Sequence, residues 1–346
     1  MKSKNFASDN NAGISPQAMR GLIEANEGHV PAYGEDHQTT QAKEVIQQWL
    51  ETRADVYFVT GGTAANCLSI ASSIRSYQSV VCHPFAHIEN DECHAPSFFK
   101  AGVQLRFADG PNGKMKLGSL DGIIESSHGV HGTLPGLISI TQCTEVGTCY
   151  TPNEIKALSN EAHQKGMHVH MDGARFSNAC ISLAASPAEL SWRSGVDLLS
   201  LGGVKNGLGF GEVLVVFNKE VSDRLDYRVK QSGQLMSKMR FLSAPWIGYL
   251  ESGEWKSNAQ NANEMAMIFS EKMDRFDFIK ILYPVETNAI FCEMPEGLPE
   301  YLEKQGWNFY PFNKVGGWRL MTSWDSQIDE IEAFVQDVEF WAHKMS

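Results

Sequence analysis

Residues 168–211 read HVHMDGARFSNACISLAASPAELSWRSGVDLLSLGGVKNGLGFG, and two strand-like runs there each end on a chemically loaded residue. The first, residues 166–171, stops at Asp172 in Asp-Gly-Ala-Arg. The second, residues 196–201, stops at Gly202-Gly203 and then Lys205. The segment between them is long enough for a crossover, which predicts that the two strands are parallel neighbours. In an open α/β sheet, ligands sit at the carboxyl ends of the strands. An Asp and a Lys delivered there together suit pyridoxal phosphate (PLP). The amine can form a Schiff base with the cofactor aldehyde, and the carboxylate can hold the pyridine nitrogen protonated. The same pair also reads as a helix N-cap and a solvated loop charge. Gly202, Gly203, Gly207, Gly209 and Gly211 crowd around Lys205. Glycines at that density point to close approach of backbone to a ligand. The run Gly-Gly-Val-Lys lacks the glycine spacing and the following Ser or Thr of a Walker motif.

A second glycine-rich turn supplies what a phosphate needs. Residues 55–59 form a short strand that ends in Thr60-Gly61-Gly62-Thr63-Ala64-Ala65-Asn66, with helical residues to about 77. Free N–H groups at such a helix start, together with a Thr hydroxyl, make an anion site. A tight turn that needs glycine for shape alone is the alternative. After the strand at residues 79–82 comes His-Pro-Phe-Ala-His-Ile-Glu-Asn-Asp-Glu-Cys-His, residues 83–94. His83 and His87 are four apart, but Pro84 stands where a zinc helix would carry Glu, so no metal is expected. A lone His reads first as a structural residue; of these, His87, just past a strand, is the best placed to stack flat on a pyridine ring. Arg319 sits in an apolar strand, Gly-Gly-Trp-Arg-Leu-Met. A buried Arg needs an anionic partner, either a structural Asp or Glu or a substrate carboxylate.

The 346 residues suffice for two domains, and the net charge of −12 argues against nucleic acid or an anionic membrane as partner. No apolar run approaches a membrane span, and MKSKNFASDNNAG has no signal-peptide core. Seven Cys with no Cys-x-x-Cys pair predict reduced thiols and a cytoplasmic protein.

The expected order is an N-terminal arm (1–15), a large domain (16–245) and a small C-terminal α+β domain (246–346). Helices are expected at 16–27, with Ser15 as N-cap, at 39–52, and at 152–165, with Thr151 as N-cap. Strands are expected at 103–107, 137–141 and 212–217, the last antiparallel to its neighbours. Residues 219–242 read as basic and helical. After Pro245 one long helical stretch, 246–276, leads into short strands and a closing helix at 325–344.

Several motifs resemble the low-specificity L-threonine aldolases, of the PLP-dependent fold-type-I (aspartate aminotransferase-like) superfamily. These are Ser8-Asp9-Asn10, Tyr33-Gly34-Glu35-Asp36, Gly62-Thr63-Ala64-Ala65-Asn66, Ala86-His87 and, above all, His170-Met171-Asp172-Gly173-Ala174-Arg175. The stretches 142–148 and 203–207 are similar to the branch found in pseudomonads. The resemblance implies an α/β large domain with a mostly parallel sheet, and retro-aldol cleavage of β-hydroxy-α-amino acids to glycine and an aldehyde. Lys205 would be the Schiff-base lysine, Asp172 would pair with the ring nitrogen, and His87 would stack on the ring. Gly62 and Thr63 would bind phosphate, aided by Arg240 or Lys230 across a subunit interface. Ser8, Arg175 and Arg319 would hold the substrate carboxylate, Tyr33 would serve the substrate side, and His131 would face the β-hydroxyl. The family is typically homotetrameric, with shared sites. Where many members have Ser-Lys-Gly, this chain has Val204-Lys205-Asn206. Where many have Glu-Asn-Thr-His-Asn-Gly it has residues 141–147, with no His. The rival readings are another PLP reaction (β-elimination or dehydration, racemisation, transamination) and a non-catalytic binding protein.

Overall fold

The computed structural model describes residues 4–100, 102–221, 224–312 and 316–345. Its centre is a seven-stranded sheet. In chain order the strands are β1 (Asp55–Val59), β2 (Gln78–Cys82), β3 (Leu105–Phe107), β4 (Leu134–Thr141), β5 (His168–Gly173), β6 (Leu198–Leu201) and β7 (Glu212–Val216). They lie in the order β1-β7-β6-β5-β4-β2-β3. Parallel pairing runs from β6 through β5, β4 and β2 to β3, and β7 alone runs antiparallel to its neighbours β6 and β1. The expected partnership is present: β5 pairs with β6 in parallel, with Asp172 opposite Ser200. These strands are near-continuous apolar runs because helices cover both faces, the usual condition of a parallel sheet. His170 is buried in β5 between Ser139 (2.9 Å) and Ser200 (3.0 Å), and burial pushes its imidazole down to about 4. It is a neutral structural residue.

Helix starts follow their caps. The Thr151 side chain accepts from the Glu154 N–H at 3.2 Å, and Glu154 answers at the Thr151 N–H at 2.7 Å, a capping box worth about 1 kcal/mol. The second helix is His37–Trp49, starting ahead of the expected Thr39 because Asp36 caps it, accepting from the Thr39 N–H at 2.7 Å. Ser15 stands at the N-cap of Pro16–Ala25, but its hydroxyl donates to Glu254 at 2.6 Å, and Glu254 takes the Gln17 N–H instead.

The helical expectations after β7 need correction. Residues 219–242 are not one helix; Leu225–Gln231 and Arg240–Glu251 are separate. Pro245 lies inside the second of these, which packs on the first two helices of the chain. The break comes at Ser252 and Gly253, where φ is +78°, a left-handed value that glycine adopts freely, and Glu254–Met273 follows.

A second, antiparallel sheet in the order β10-β11-β9-β8 forms the C-terminal part, from β8 (Lys280–Ile281), β9 (Ala289–Glu293), β10 (Tyr310–Pro311) and β11 (Trp318–Met321). The helices Glu254–Met273 and Ile328–Met345 cover it. Residues 5–9 are not a free arm. Asn5 bridges to Asn308, and Phe6, 1% exposed, stacks on Trp307 with ring centroids 5.5 Å apart. Among the described residues no helix is long and apolar enough to cross a membrane.

Candidate active site

The carboxyl ends of β5 and β6 open into a cavity of about 320 Å³. Asp172, at the end of β5, is 5% exposed and faces it; Lys205 reaches it from the turn after β6. Opposite stands the turn after β1, where Gly61 precedes the helix Gly62–Ser73. That helix start has no side-chain cap, and a Cβ on Gly61 or Gly62 would meet nothing within 4 Å. The turn is therefore an open cup of N–H donors at the positive end of a 12-residue helix, which suits a phosphate-sized anion. Thr60 does not add to it, because its N–H and hydroxyl both go to Gln234.

Gly202 and Gly209 line the cavity, and the glycines around Lys205 have a further cause in the protein's own packing. A Cβ on Gly202 would stand 2.5 Å from the Ala174 carbonyl oxygen, and one on Gly207, at φ +111°, 2.7 Å from Asn258. These glycines let the lysine turn thread between protein segments. The same turn is tied to the N-terminal region by a hydrogen bond from the Ser15 N–H to the Gly207 carbonyl at 2.8 Å.

Asp172 accepts from Asn66 Nδ2 at 2.9 Å and from the Ala174 N–H at 3.1 Å. The other proton of the same amide goes to Glu92, also at 2.9 Å. Burial and the Asp172 charge push the Glu92 carboxyl up to about 7, against the pull of Asn66. Glu212, at the head of β7, is a second buried acid in the cavity wall. It accepts from the Gly203 N–H at 2.7 Å, and burial raises it to about 7 in spite of that bond and the nearby Lys205 charge. Sequence reasoning missed Glu92, Asn66 and Glu212 as site residues. The signal for Glu212 was available: an acid heading an otherwise apolar strand, as with Arg319.

Beside the cavity the N-terminal segment brings Ser8, Asp9 and Asn10 between two arginines. Asp9 grips Arg175 with both oxygens, at 2.7 and 3.0 Å. Burial works against the Asp9 charge, but Arg175 holds its carboxyl below the usual range. The Arg175 fork expected for a substrate carboxylate is thus filled from within. Arg319 differs: it donates to the Ala7 carbonyl at 3.0 Å, its Nε is buried without a partner, and among the described residues no carboxylate pairs with it. Burial and the Arg175 charge bring it down to about 10. Ser8 accepts from the Asn10 N–H at 3.2 Å.

Four expected site residues lie elsewhere in this chain. His131 is exposed in the turn before β4, so the eight residues of that strand, about 25 Å, separate its edge of the sheet from Asp172. Tyr33 is exposed, with the Lys230 ammonium 4.7 Å over its ring. Arg240 lines a different hollow, together with His29 and Asp36.

A family model described as "Beta-eliminating lyase" matches residues 5–296. The low specificity L-threonine aldolase of Pseudomonas aeruginosa is 45% identical over 96% of this chain and 96% of its own. The chain belongs to the β-eliminating lyase family, among its L-threonine aldolases. A second family member of that printed name, from a Pseudomonas species, is 44% identical over 97% of both chains. The family fold extends to a solved threonine aldolase of Leishmania major, at TM-score 0.91 and 25% identity, covering 97% of this chain and 99% of that one. The chain is accordingly a carbon–carbon lyase of α/β fold, with the separate antiparallel sheet described above.

Proposed function

We propose that this enzyme cleaves β-hydroxy-α-amino acids with PLP, taking L-threonine or L-allo-threonine to glycine and acetaldehyde. The observation that carries the reading is the convergence of Lys205, Asp172 and the Gly61–Gly62 cup on one cavity. The cup, with space where two side chains would stand, fits a phosphate; the amine fits an aldehyde; the buried carboxylate fits a protonated ring nitrogen. Gly62 and Thr63 would bind the phosphate, Asp172 the ring nitrogen and Lys205 the aldehyde carbon, while His87 would pack against the ring. When bound, PLP supplies the electron sink that makes cleavage at Cα possible.

The chain's own residues do the rest. Asn66 and the Ala174 N–H fix the direction of Asp172. Arg319, with no carboxylate partner among the described residues, would bind the substrate carboxylate. This contact selects which bond at Cα stands ready to break. Asp9 keeps Arg175 rigid beside it. His87 is the imidazole of the cavity itself, and His131 would serve the site of a neighbouring copy. Exposed Val130 and Leu134 beside His131 support a subunit contact there. We accordingly read the enzyme as a cytoplasmic homotetramer with shared sites, to which Tyr33, Lys230 and Arg240 would also contribute.

The test is to incubate the protein and PLP with L-threonine, L-allo-threonine and L-phenylserine and to measure aldehyde and glycine together. Equal amounts of both are expected. Ammonia and a keto acid without aldehyde would move the chain to a β-elimination reaction.

A further inference from the structure

His87 opens the short helix His87–Asn90, and Glu92 follows two residues after it. The His87 ring is partly open to the cavity, its side chain 29% exposed, yet its Nδ1 is buried with no hydrogen-bond partner. Glu92 lies behind it, its side chain 1% exposed, with Oε1 3.6 Å from that Nδ1. Glu92 Oε1 takes the Asn66 amide, and Oε2 is buried with the Thr63 hydroxyl nearby but in no well-formed hydrogen bond. A buried, unpartnered Nδ1 able to carry a proton thus faces a buried carboxylate able to accept it. Leaving that bond unmade costs desolvation without return.

We propose that Glu92 is the positioning residue for His87: its carboxylate holds the Nδ1–H, which leaves Nε2 facing the cavity as proton acceptor. This rests on the cleavage reading above. The β-hydroxyl O–H bond breaks and an N–H bond forms at Nε2. The oxygen electron pair becomes the aldehyde C=O as the Cα–Cβ bond breaks, and the pair left on Cα takes up the proton from Nε2 to give glycine. The imidazolium formed meanwhile faces the Glu92 charge, as in other base–orienter pairs. Charged and titratable groups around Glu92 are Asp172 on β5, His87 on its own segment and Cys67 on the helix Gly62–Ser73. Of these, Asp172 delays its ionisation and His87 favours it. Glu92 is therefore neutral below about pH 7 and charged above, so kcat/KM for cleavage should fall as pH drops through that value.

Glu92→Gln keeps the acceptor for Asn66 and removes the charge. Its expected effects are a kcat lower by roughly 10- to 100-fold, little change in KM for L-threonine, and an acid limb displaced from that of wild type. Glu92→Asp should recover part of the rate and the limb. In cofactor-free protein at pH 8, carbethoxylation of His87, followed by peptide mass spectrometry, should be several-fold slower in Glu92→Gln than in wild type. Three results would overturn the proposal: an unchanged limb with an unchanged His87 modification rate, loss of PLP binding in a folded Glu92→Gln (Glu92 then acts through Asp172), or an Asp variant no better than the Gln one. If wild type releases no aldehyde, the cleavage reading fails alone, and the cofactor-free measurement still decides the pairing of Glu92 with His87.

Discussion

Arg319 and Arg175 differ in what they lack. Arg175 has its carboxylate in Asp9; Arg319 has two aromatic faces, Tyr310 at 4.5 Å and Phe312 at 5.5 Å from its guanidinium carbon, and a backbone carbonyl. A buried cation so held is stabilised when an anion arrives. Arg319→Ala should therefore raise KM for L-threonine by roughly 10- to 100-fold, with PLP affinity kept, measured by steady-state cleavage and equilibrium dialysis. An unchanged KM would remove Arg319 from the substrate site. Asp172, Lys205 and Arg319 were legible in the sequence because each is a charged group at the end of, or inside, an apolar run. Glu92 was not, since it sits in a polar stretch where an acid carries no signal of burial. Only the fold places Asn66 and Asp172 beside it.

Among elements, the strands that build the site were readable from their runs of apolar residues, and β5 and β6 pair as their crossover length implied. The helix break at Gly253 was hidden, because the residues on either side keep a helical pattern. The segment 5–9 was hidden for the opposite reason: it is short and polar except for Phe6 and Ala7, and its partners lie some three hundred residues away. Phe6 packs against Phe269 at 4.8 Å, Phe334 at 5.7 Å and Trp307. Phe6→Ala should cost about 3–5 kcal/mol in denaturant unfolding of that core. It should also lower kcat/KM, because Asp9 follows three residues on. A loss below about 1 kcal/mol would mean that this segment does not help hold the C-terminal core together.

For the whole molecule, the residues that fall outside the chain's own cavity set the question. If His131 serves a neighbour's site by holding the substrate's β-hydroxyl toward His87, Lys205→Ala and His131→Phe should each be nearly inactive as pure oligomers. After mixing, dissociation and reassembly, hybrids should regain about a quarter of the sites, since one site in each mixed pair holds both intact residues. No recovery from hybrids verified by native mass spectrometry would confine the reaction to one chain's residues. In that case periodicity could not have found His131, and only the family resemblance pointed to it, because a residue that acts across a symmetry axis leaves no mark in its own chain's pattern.

Asn5 bridging to Asn308, Phe6 locked among residues 269–334 and Asp9 clamped on Arg175 together tie one segment to partners made far later in synthesis. On the ribosome, residues 5–9 emerge early and wait. Strands β1 to β7 are complete by residue 216, whereas Phe269, Asn308 and Phe334, which hold this segment, are made later. The segment that carries Asp9 is thus made well before its anchors, and a fusion that pulls on it should weaken the Asp9–Arg175 pair in the finished protein.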